Sequence, residues 1–269
     1  VRRDVLRMIH GAASGHPGGS LGCTDFLVAL YFDILKHSSA TFTMNGKGED
    51  MFFLSNGHVA PAWYSVLART GYFPKSELST LRQLNTRLQG HPAVAEGLPG
   101  IRIASGSLGQ GLSCSIGAAL SKKLNNDPNY VFCLTGDGEL QEGQIWEAAM
   151  FAAAHKVDNL IAVVDYNGKQ IDGNVDDVIT LGDLKLKWIA FGWEVVEMNG
   201  NIMKEVIEKI NIAKSLTGNQ KPVVIIMKTI MGKGVDFMEN THKWHGVPPN
   251  DEQLEKALSQ LNLNANDDF

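Results

Sequence analysis

The stretch TGDGELQEG, residues 135–143, directly follows the apolar run YVFCL, residues 130–134. It places three carboxylates beside three glycines within nine positions. An apolar run that ends abruptly in glycines and acids predicts a buried strand with polar side chains at its carboxyl end. In open parallel sheets, ligands bind just beyond that end of the strands. The stretch therefore predicts both a fold class and the location of a binding site.

Short apolar runs alternate along the chain with amphipathic stretches of helical length. We predict five strands, at residues 51–55, 130–135, 159–167, 193–198 and 222–229. We predict helices at residues 24–36, with Thr24 or Asp25 as N-cap, and at 58–70, 108–124, 142–156 and 203–215. Because the strands are continuously apolar, we expect both of their faces to be buried. This alternation predicts an α/β fold, a parallel sheet with helices on both faces.

Composition limits the classes of protein to which the chain can belong. Its 269 residues are 44% apolar, which is enough to bury a core as one domain or at most two lobes. We expect a single domain over residues 1–260 and a polar, frayed tail over 261–269. The net charge of −5, without a basic stripe, gives no reason to expect a nucleic-acid partner.

Neither a signal-peptide pattern nor a bilayer-length apolar run occurs in the sequence. We therefore expect a cytoplasmic protein without a membrane partner. Its three cysteines, Cys23, Cys114 and Cys133, form no CxxC pair. Reduced thiols, two of them in runs that read as buried, fit that location.

Asp137 and Asn167 each lie at the carboxyl end of a predicted strand. The 30 residues between them (167 − 137) leave room for one crossover helix between parallel neighbours, so the two side chains could meet. A carboxylate and an amide oxygen are suitable ligands for Mg²⁺, which takes hard oxygen ligands at about 2.1 Å, whereas Ca²⁺ usually recruits more carboxylates. The alternative is that GDG and YNG are ordinary tight turns. The pairing of the two segments across one βαβ unit favours the metal site.

These segments resemble the fingerprint of thiamin diphosphate enzymes, and their flanks resemble the transketolase family over nearly the whole chain. Seven segments match that family's landmarks in order: SGHPGGSLG (14–22), LSNGHVAPAWY (54–64), QGHP (89–92), GSLGQGLSCSIGAAL (106–120), GDGELQEGQIWEA (136–148), DYNGKQIDG (165–173) and HKWHG (242–246). The resemblance implies a thiamin diphosphate-binding fold, with residues 1–260 as the domain that binds the diphosphate and the metal.

The resemblance also implies roles for individual residues around the cofactor. The metal ligands would be Asp137, Asn167 and the backbone carbonyl of Lys169, with Mg²⁺ as the ion and Ca²⁺ or Mn²⁺ as substitutes. The remaining cofactor contacts would come from His58, Gly106, Leu108, Gly138, Asn167 and His245. Ser107 stands where many relatives have proline, and since serine does not fix φ, the rigidity of that turn is in question.

Four of the eight histidines lie in loop-type sequence next to glycine or proline. A surface histidine and a ligand contact are equally good interpretations of any one of them. Their joint match to the family's landmarks implies that His16, His91 and His245 are catalytic, contacting the reacting oxygens or the diphosphate as donors or proton shuttles. The other histidines, His10, His37, His155 and His242, are interpreted as structural.

Glu142 and Glu147 follow the glycine-rich segment at the start of a predicted helix. Acids there are favoured by the helix dipole, which is sufficient to explain Glu142. The resemblance suggests a second role, a proton relay between active sites at a subunit interface. Two nucleotide-binding interpretations fail, because MGKG (231–234) lacks the phosphate-loop spacing and GSLGQG lacks the dinucleotide pattern.

In the family, the glutamate that activates the cofactor lies in a second, pyrimidine-binding domain, and no glutamate in this sequence has that context. We therefore expect the diphosphate-side subunit of a split transketolase. Its partner would be a C-terminal, pyrimidine-binding subunit, and the two would form a heterotetramer. The implied reaction transfers a two-carbon ketol unit from a ketose phosphate to an aldose phosphate, as in the pentose phosphate pathway.

Three alternatives to this function remain. A specialised ketol transferase would use the same site on other sugars. An α chain of a 2-oxoacid dehydrogenase is disfavoured by QEGQIWEA and by the histidine set. A subunit that only binds or scaffolds would have no evident need for Asp137, Asn167 and four loop histidines.

Overall fold

The computed structural model describes residues 1–262 and 268–269. The strands are β1 (Met51–Leu54), β2 (Val131–Gly136), β3 (Leu160–Tyr166), β4 (Lys169–Gln170), β5 (Gly173–Asn174), β6 (Glu194–Asn199) and β7 (Val223–Lys228). Five of them form one parallel sheet in the order β1-β2-β3-β7-β6, while β4 and β5 form a small antiparallel hairpin. The five long strands coincide with the five predicted from the sequence.

Ten α-helices surround the sheet within the described residues. They are α1 (Arg2–Gly11), α2 (Pro17–Gly22), α3 (Thr24–Ala29), α4 (Ala60–Arg69), α5 (Gln110–Leu124), α6 (Gly143–Ala154), α7 (Val175–Ile179), α8 (Leu184–Ala190), α9 (Met203–Leu216) and α10 (Asp251–Gln260). The five predicted helices correspond to α3, α4, α5, α6 and α9, with α3 extended by a wider turn over Leu30–Ile34. The others were not predicted.

The predicted N-cap of α3 is wrong. Cys23 precedes the helix and no side chain caps it. Thr24 is already its first residue, and its hydroxyl donates to the carbonyl of Ser20 in the preceding short helix. Because α2 and α3 follow each other almost without a break, the threonine finds a helical carbonyl instead of capping.

Two hydrophobic cores lie on opposite faces of the sheet. Successive side chains of a strand point to opposite faces, so Phe52 packs in one core with α1, α3, α4 and α9. Its neighbour Phe53 packs in the other core with α5, α6 and α8. The predicted fold class, a parallel sheet with helices on both faces, is therefore confirmed.

One strand departs from the expected burial on both faces. β6 alternates buried and exposed residues along its second half, and two of its glutamates, Glu194 and Glu197, pair with Lys221 and Lys185. This strand lies at the edge of the sheet. Charged side chains on an edge strand hinder pairing with another chain.

Asp268 and Phe269 pack against the first helix. Arg3 donates two hydrogen bonds to the Asp268 carboxylate, and the guanidinium of Arg7 lies 5.2 Å from the ring of Phe269. The predicted frayed tail spans 261–269, of which residues 263–267 lie outside the described residues.

Within the described part of the chain, no helix has the length and apolarity needed to cross a bilayer. The three cysteines are free, with Cys23 and Cys133 buried and Cys114 exposed.

Candidate active site

The carboxyl ends of β2 and β3 lie side by side, with Gly136 in register with Asp165. Asp137 and Asn167 follow directly, and Oδ2 of Asp137 accepts a hydrogen bond from the backbone of Gly168 at 2.5 Å. Both side chains line one cavity of about 210 Å³. The structure thus brings together the two predicted metal ligands, because parallel pairing places both strand ends on the same edge.

Asp137 and Asp165 are adjacent buried carboxyl groups, and burial makes each of them costly to ionise. Burial, together with repulsion from Asp165, raises the pKa of Asp137 to about 7. Burial raises the pKa of Asp165 to about 6, against the hydrogen bonds it accepts from Thr229 and Asn167. Neither carboxylate has an ion pair within residues 1–262 and 268–269. Two adjacent buried acids without a counter-charge are a favourable environment for a cation.

Asn167 and Lys169 are ordered by the turn that follows β3. The Asn167 amide donates to Oδ2 of Asp165 at 3.1 Å, which fixes the orientation of the side chain. Its Oδ1 accepts from the backbone of Lys169 at 2.9 Å. Both residues line the cavity. Across the described residues no group of three or more His, Cys, Asp or Glu side chains could hold a metal, so an ion here would require amide and carbonyl oxygens, as predicted.

Glu139 connects three segments beneath the cavity. Its carboxylate accepts hydrogen bonds from the hydroxyl of Ser55, from the backbone of Gly109 at 2.8 Å and from the backbone of Gly136 at 3.0 Å. Burial raises its pKa, which these donors partly offset. Glu139 therefore ties the end of β1, the start of α5 and the end of β2 together.

Two of the predicted glycine and leucine contacts line the same cavity. They are Gly138, which begins the turn Gly138–Gln141, and Leu108. Gly106 adopts a φ of +121°, which favours glycine, and a Cβ at this position would lie 3.0 Å from the His91 ring. The loop before α5 thus depends on a glycine next to a predicted catalytic histidine.

Four histidines from four separate segments cluster beside the cavity, and two of them, His58 and His245, line it. The ring centroid of His16 lies 5.3 Å from that of His58, 6.1 Å from that of His91 and 5.7 Å from that of His245. His58 and His245 are 5.0 Å apart. His16 precedes α2 and His58 precedes α4. The structure assembles all four predicted loop histidines into one cluster.

The histidine cluster is neutral at physiological pH. Burial, followed by repulsion from its neighbours, lowers the pKa of His16 to about 4 and that of His58 well below its usual value. Burial lowers the pKa of His245, and burial with the nearby Arg82 lowers that of His91. A neutral imidazole offers one donor and one acceptor nitrogen, so each ring can exchange a proton with a bound oxygen.

The remaining histidines lie outside this cluster. His37 bonds Tyr72 and the carbonyl of Tyr31, His10 pairs with Asp251, and His155 stacks on a phenylalanine of α6. His242 is exposed in the turn before His245. The contacts of His37, His10 and His155 agree with the structural interpretation.

Glu142 and Glu147 lie on two different surfaces. Glu142 lines the cavity, whereas Glu147 borders an apolar depression of about 410 Å³ between α5 and α6. Ile116, Leu120 and Phe151 form much of that depression. The two carboxylates thus lie on either side of the start of α6.

Buried polar atoms without a hydrogen-bond partner concentrate around the cavity. Six of the nine such side-chain atoms within the described residues lie in or beside it. They belong to His16, Asn56, Ser105, Gln170 and His245. Since buried polar groups are normally paired, this concentration indicates a site built for a polar ligand.

Comparison with known proteins identifies the family. The family model described as "Transketolase, thiamine diphosphate binding domain" matches residues 1–269. The chain belongs to this family. It is 37% identical over 260 residues to an apulose-4-phosphate transketolase subunit of Phocaeicola vulgatus, covering 97% of this chain and 90% of that protein. It is 40% identical over 261 residues to a 6-deoxy-6-sulfo-D-fructose transketolase subunit of Clostridium sp., covering 97% and 93%.

Solved transketolases share the fold. The enzyme from Campylobacter jejuni superimposes with a TM-score of 0.86 at 36% identity, over 96% of this chain and 42% of that chain. The one from Leishmania mexicana gives 0.88 at 28%, over 96% and 40%. The chain thus spans about two fifths of these solved transketolases and nine tenths of the separate subunits. The predictions of transketolase family, thiamin diphosphate-binding fold and transketolase-subunit enzyme class are confirmed.

Sequence reasoning missed three polar residues of this transketolase site. Asp165 and Glu139 flank the predicted metal ligand, and Asn56 precedes the predicted cofactor histidine by two positions. Asn56 directly follows one predicted strand, Glu139 lies four residues beyond another and Asp165 lies near the end of a third, so a wider strand-end rule would have selected them too. Their burial could not be read from the sequence.

Proposed function

We propose that this chain is the diphosphate-side subunit of a two-chain, thiamin diphosphate-dependent transketolase. The reaction transfers a two-carbon ketol unit from a ketose phosphate to an aldose phosphate, and a separate pyrimidine-binding subunit completes the site. The observation that carries the proposal is the cluster of four histidines beside the cavity that Asp137 and Asn167 line, at the carboxyl edge of the sheet.

Asp137, Asn167 and the backbone carbonyl of Lys169 hold Mg²⁺ in this proposal, with Ca²⁺ or Mn²⁺ as substitutes. The uncompensated burial of Asp137 beside Asp165 supports a cation at this position. An all-oxygen donor set with few carboxylates suits Mg²⁺ better than Ca²⁺. The ion neutralises the carboxylates and, at the same time, presents a positive charge to a diphosphate.

Gly138, His58, Gly106, Leu108 and His245 border the cofactor in this proposal. Bound thiamin diphosphate supplies the nucleophilic carbon needed to break and form the carbon–carbon bond. The lack of a side chain at Gly138 leaves room close to the metal ligands, where a Cβ would lie 3.2 Å from Gln170. The chain's own task is to anchor and orient the diphosphate end.

His16, His91 and His245 act on the substrate oxygens. Because their pKa values are lowered, they are neutral near pH 7 and can donate or accept a proton at a hydroxyl or carbonyl oxygen. Nδ1 of His16 and Nδ1 of His245 have no partner within the described residues. Both nitrogens are therefore available to a ligand.

The partner subunit carries the pyrimidine-binding domain and, by analogy with two-fold symmetric transketolase dimers, the assembly is a heterotetramer in the cytoplasm. Exposed apolar side chains near the site support a protein partner, among them Leu108, Met150 and Phe151. Glu142 and Glu147 form a proton relay between sites in this proposal. Full cofactor activation in a Glu142→Gln variant would argue against the relay.

A specialised ketol transferase is the second candidate for substrate class. The names of the similar subunits refer to apulose 4-phosphate and 6-deoxy-6-sulfo-D-fructose, and both are anionic sugars outside the common pentose phosphates. These names favour a dedicated sugar pathway over the general pentose phosphate pathway. A 2-oxoacid dehydrogenase α chain and a non-catalytic scaffold have less support.

Calorimetry with thiamin diphosphate, with and without Mg²⁺, tests the site directly. We expect metal-dependent binding to the chain with its partner subunit, and weaker binding to the chain alone. Absence of metal-dependent binding even in the pair would eliminate the enzyme function.

An assay of the reconstituted pair tests the substrate. Donors to compare are xylulose 5-phosphate, fructose 6-phosphate, apulose 4-phosphate and 6-deoxy-6-sulfo-D-fructose, each with aldose phosphate acceptors. A rate only with one of the last two would establish the specialised enzyme. A rate with xylulose 5-phosphate and ribose 5-phosphate would establish the general one.

A further inference from the structure

Asn56 lies two residues beyond β1, at the same edge of the sheet as Asp137 and Asn167. It is 1% exposed and forms part of the cavity wall. Its side chain lies over Gly136, where an added Cβ would be 3.8 Å from the amide nitrogen. Asn56 is therefore held directly beside the end of β2, where the predicted metal ligand follows.

Neither the nitrogen nor the oxygen of this amide has a hydrogen-bond partner within the described residues. An amide buried without partners destabilises a fold relative to a paired or apolar side chain. Asn129 shows the ordinary arrangement: it is 6% exposed, and its amide donates to Asp127 at 2.5 Å. The chain thus retains at Asn56 a polar group that destabilises the ligand-free fold.

We propose that Asn56 is a further ligand-binding residue, whose amide donates to an anionic oxygen of the diphosphate. This inference rests on the proposed function. The amide group of an asparagine rotates easily about its Cβ–Cγ bond, so it can turn towards a ligand in the cavity that Asn56 lines. A diphosphate oxygen provides the acceptor that the protein does not.

The charges of the cavity explain an amide at this position. Four carboxylates already line the cavity, those of Asp137, Glu139, Glu142 and Asp165. A further carboxylate would repel a diphosphate, and an apolar side chain would leave one of its oxygens without a donor. A neutral donor satisfies the anion without repelling the metal ion that the carboxylates attract.

Two matched variants separate a ligand-binding role from a structural one. Asn56→Leu keeps the branched shape of the side chain and removes the unpaired amide, so the ligand-free chain should melt at the same temperature or higher. Binding of thiamin diphosphate and of inorganic pyrophosphate with Mg²⁺ should weaken about tenfold to hundredfold, the loss expected for a hydrogen bond to a charged group. In the control, Asn129→Leu, melting should fall and both affinities should stay unchanged.

Asn56→Asp provides an independent readout. It keeps the acceptor oxygen, loses the donor and adds a negative charge, so pyrophosphate should bind more weakly than to Asn56→Leu. Calorimetry and thermal melting of the full chain, alone and with its partner, measure both properties. If wild type binds magnesium pyrophosphate and Asn56→Leu binds it equally well, the role of Asn56 is refuted while the proposed function stands. If wild type itself shows no metal-dependent binding, both are refuted.

Discussion

The two ends of the central sheet differ in how completely their buried polar groups are paired. At the amino end, before β1 and β2, Lys122 is 4% exposed and donates to the carbonyls of Gly46 and Glu49 and to Asp127, at 2.7–2.9 Å. Asp127 also accepts from the backbones of Gly48 and Asn129. Every charge in this network has its partners inside the chain.

At the carboxyl end, several buried polar groups lack a counter-charge or a hydrogen-bond partner among the described residues. Asp137 and Asp165 repel each other without a counter-charge, and Asn56, His16 and His245 have polar atoms without partners among the described residues. The chain contains enough lysine and arginine to neutralise such a site, as it does at the other end. We infer that the amino-end network stabilises the fold, whereas the carboxyl-end groups are kept for a ligand at a cost in stability.

Lys122→Met should have the largest effect on stability, and it should disrupt only the network at the amino end. Removing the lysine leaves Asp127 and two carbonyls short of a buried donor, which should cost about 3–5 kcal/mol in the free energy of unfolding. Urea unfolding measures the change. The control is Lys123→Met, since Lys123 is 39% exposed and its pair with Asp158 should contribute no more than about 1 kcal/mol. If Lys122→Met also abolished cofactor binding in the folded protein, the separation of the two ends would be wrong.

Asp137→Asn should have the opposite effect. It should impair ligand binding at the carboxyl end without destabilising the fold. Loss of a charged metal ligand should weaken magnesium-dependent thiamin diphosphate binding at least about hundredfold, by analogy with the tenfold to hundredfold loss from supporting groups. The ligand-free variant should be as stable as wild type or more so, because a buried repulsive charge is removed. Asp176→Asn, an exposed carboxylate at the start of α7, is the control for calorimetry. Unchanged affinity in Asp137→Asn would exclude this residue from the metal site.

The pH dependence of folding stability in two variants should test the difference between the two ends of the sheet. The folded pKa of Asp137, about 7, lies above its unfolded value of about 4, so its carboxyl destabilises the metal-free fold increasingly as pH rises through this window. Asp127 has a lowered folded pKa, because its donors favour the charged form, so its contribution is present above about pH 4 and is lost as pH falls.

Measured against wild type with a chelator present, the stability gain of Asp137→Asn should therefore grow from pH 4 to pH 7, by about 1–3 kcal/mol. The stability loss of Asp127→Asn should be complete at pH 7 and shrink below pH 4. Referring each variant to wild type cancels the titration of the histidine cluster. Parallel curves for the two variants would refute the opposite roles assigned to them.

The sequence predicted those parts of the molecule that depend on local pattern. The strands predicted at residues 51–55, 130–135 and 159–167 correspond to β1, β2 and β3, because their apolar runs are buried in the sheet. Parallel pairing then brings Asp137 next to Asn167. The four loop histidines were found only through the family's landmarks, because no local rule brings residues 16, 58, 91 and 245 together.

The sequence could not show which buried polar groups have hydrogen-bond partners. Asn56 and Asn129 are both asparagines at strand ends, and only the structure shows that one amide is paired and the other is not. The same holds for Asp165 and Glu139, whose burial and donors arise from segments far apart in the chain. The prediction that both faces of β6 are buried was wrong, because the sequence does not show that this strand lies at the edge of the sheet.

Ser107→Pro should give the smallest effect and tests how far the carboxyl end is pre-ordered. Ser107 is exposed in the loop between Gly106 and Leu108, and its carbonyl accepts from Gln110 at 3.4 Å. Proline restricts the unfolded chain, so a compatible backbone should gain about 0.4–1 kcal/mol in stability. Thiamin diphosphate should then bind as well as before or a few-fold more tightly, because Gly106 and Leu108 are held in place.

Ser107→Ala is the control for that substitution, since it removes the hydroxyl without fixing φ. Thermal melting and calorimetry of both variants separate the two effects. If proline lowered the melting temperature while alanine did not, the loop would need the backbone N–H or a φ outside the range of proline. That outcome would place mobility of this loop among the features that the carboxyl end retains for its ligand, together with the unpaired amide of Asn56 and the uncompensated carboxylates.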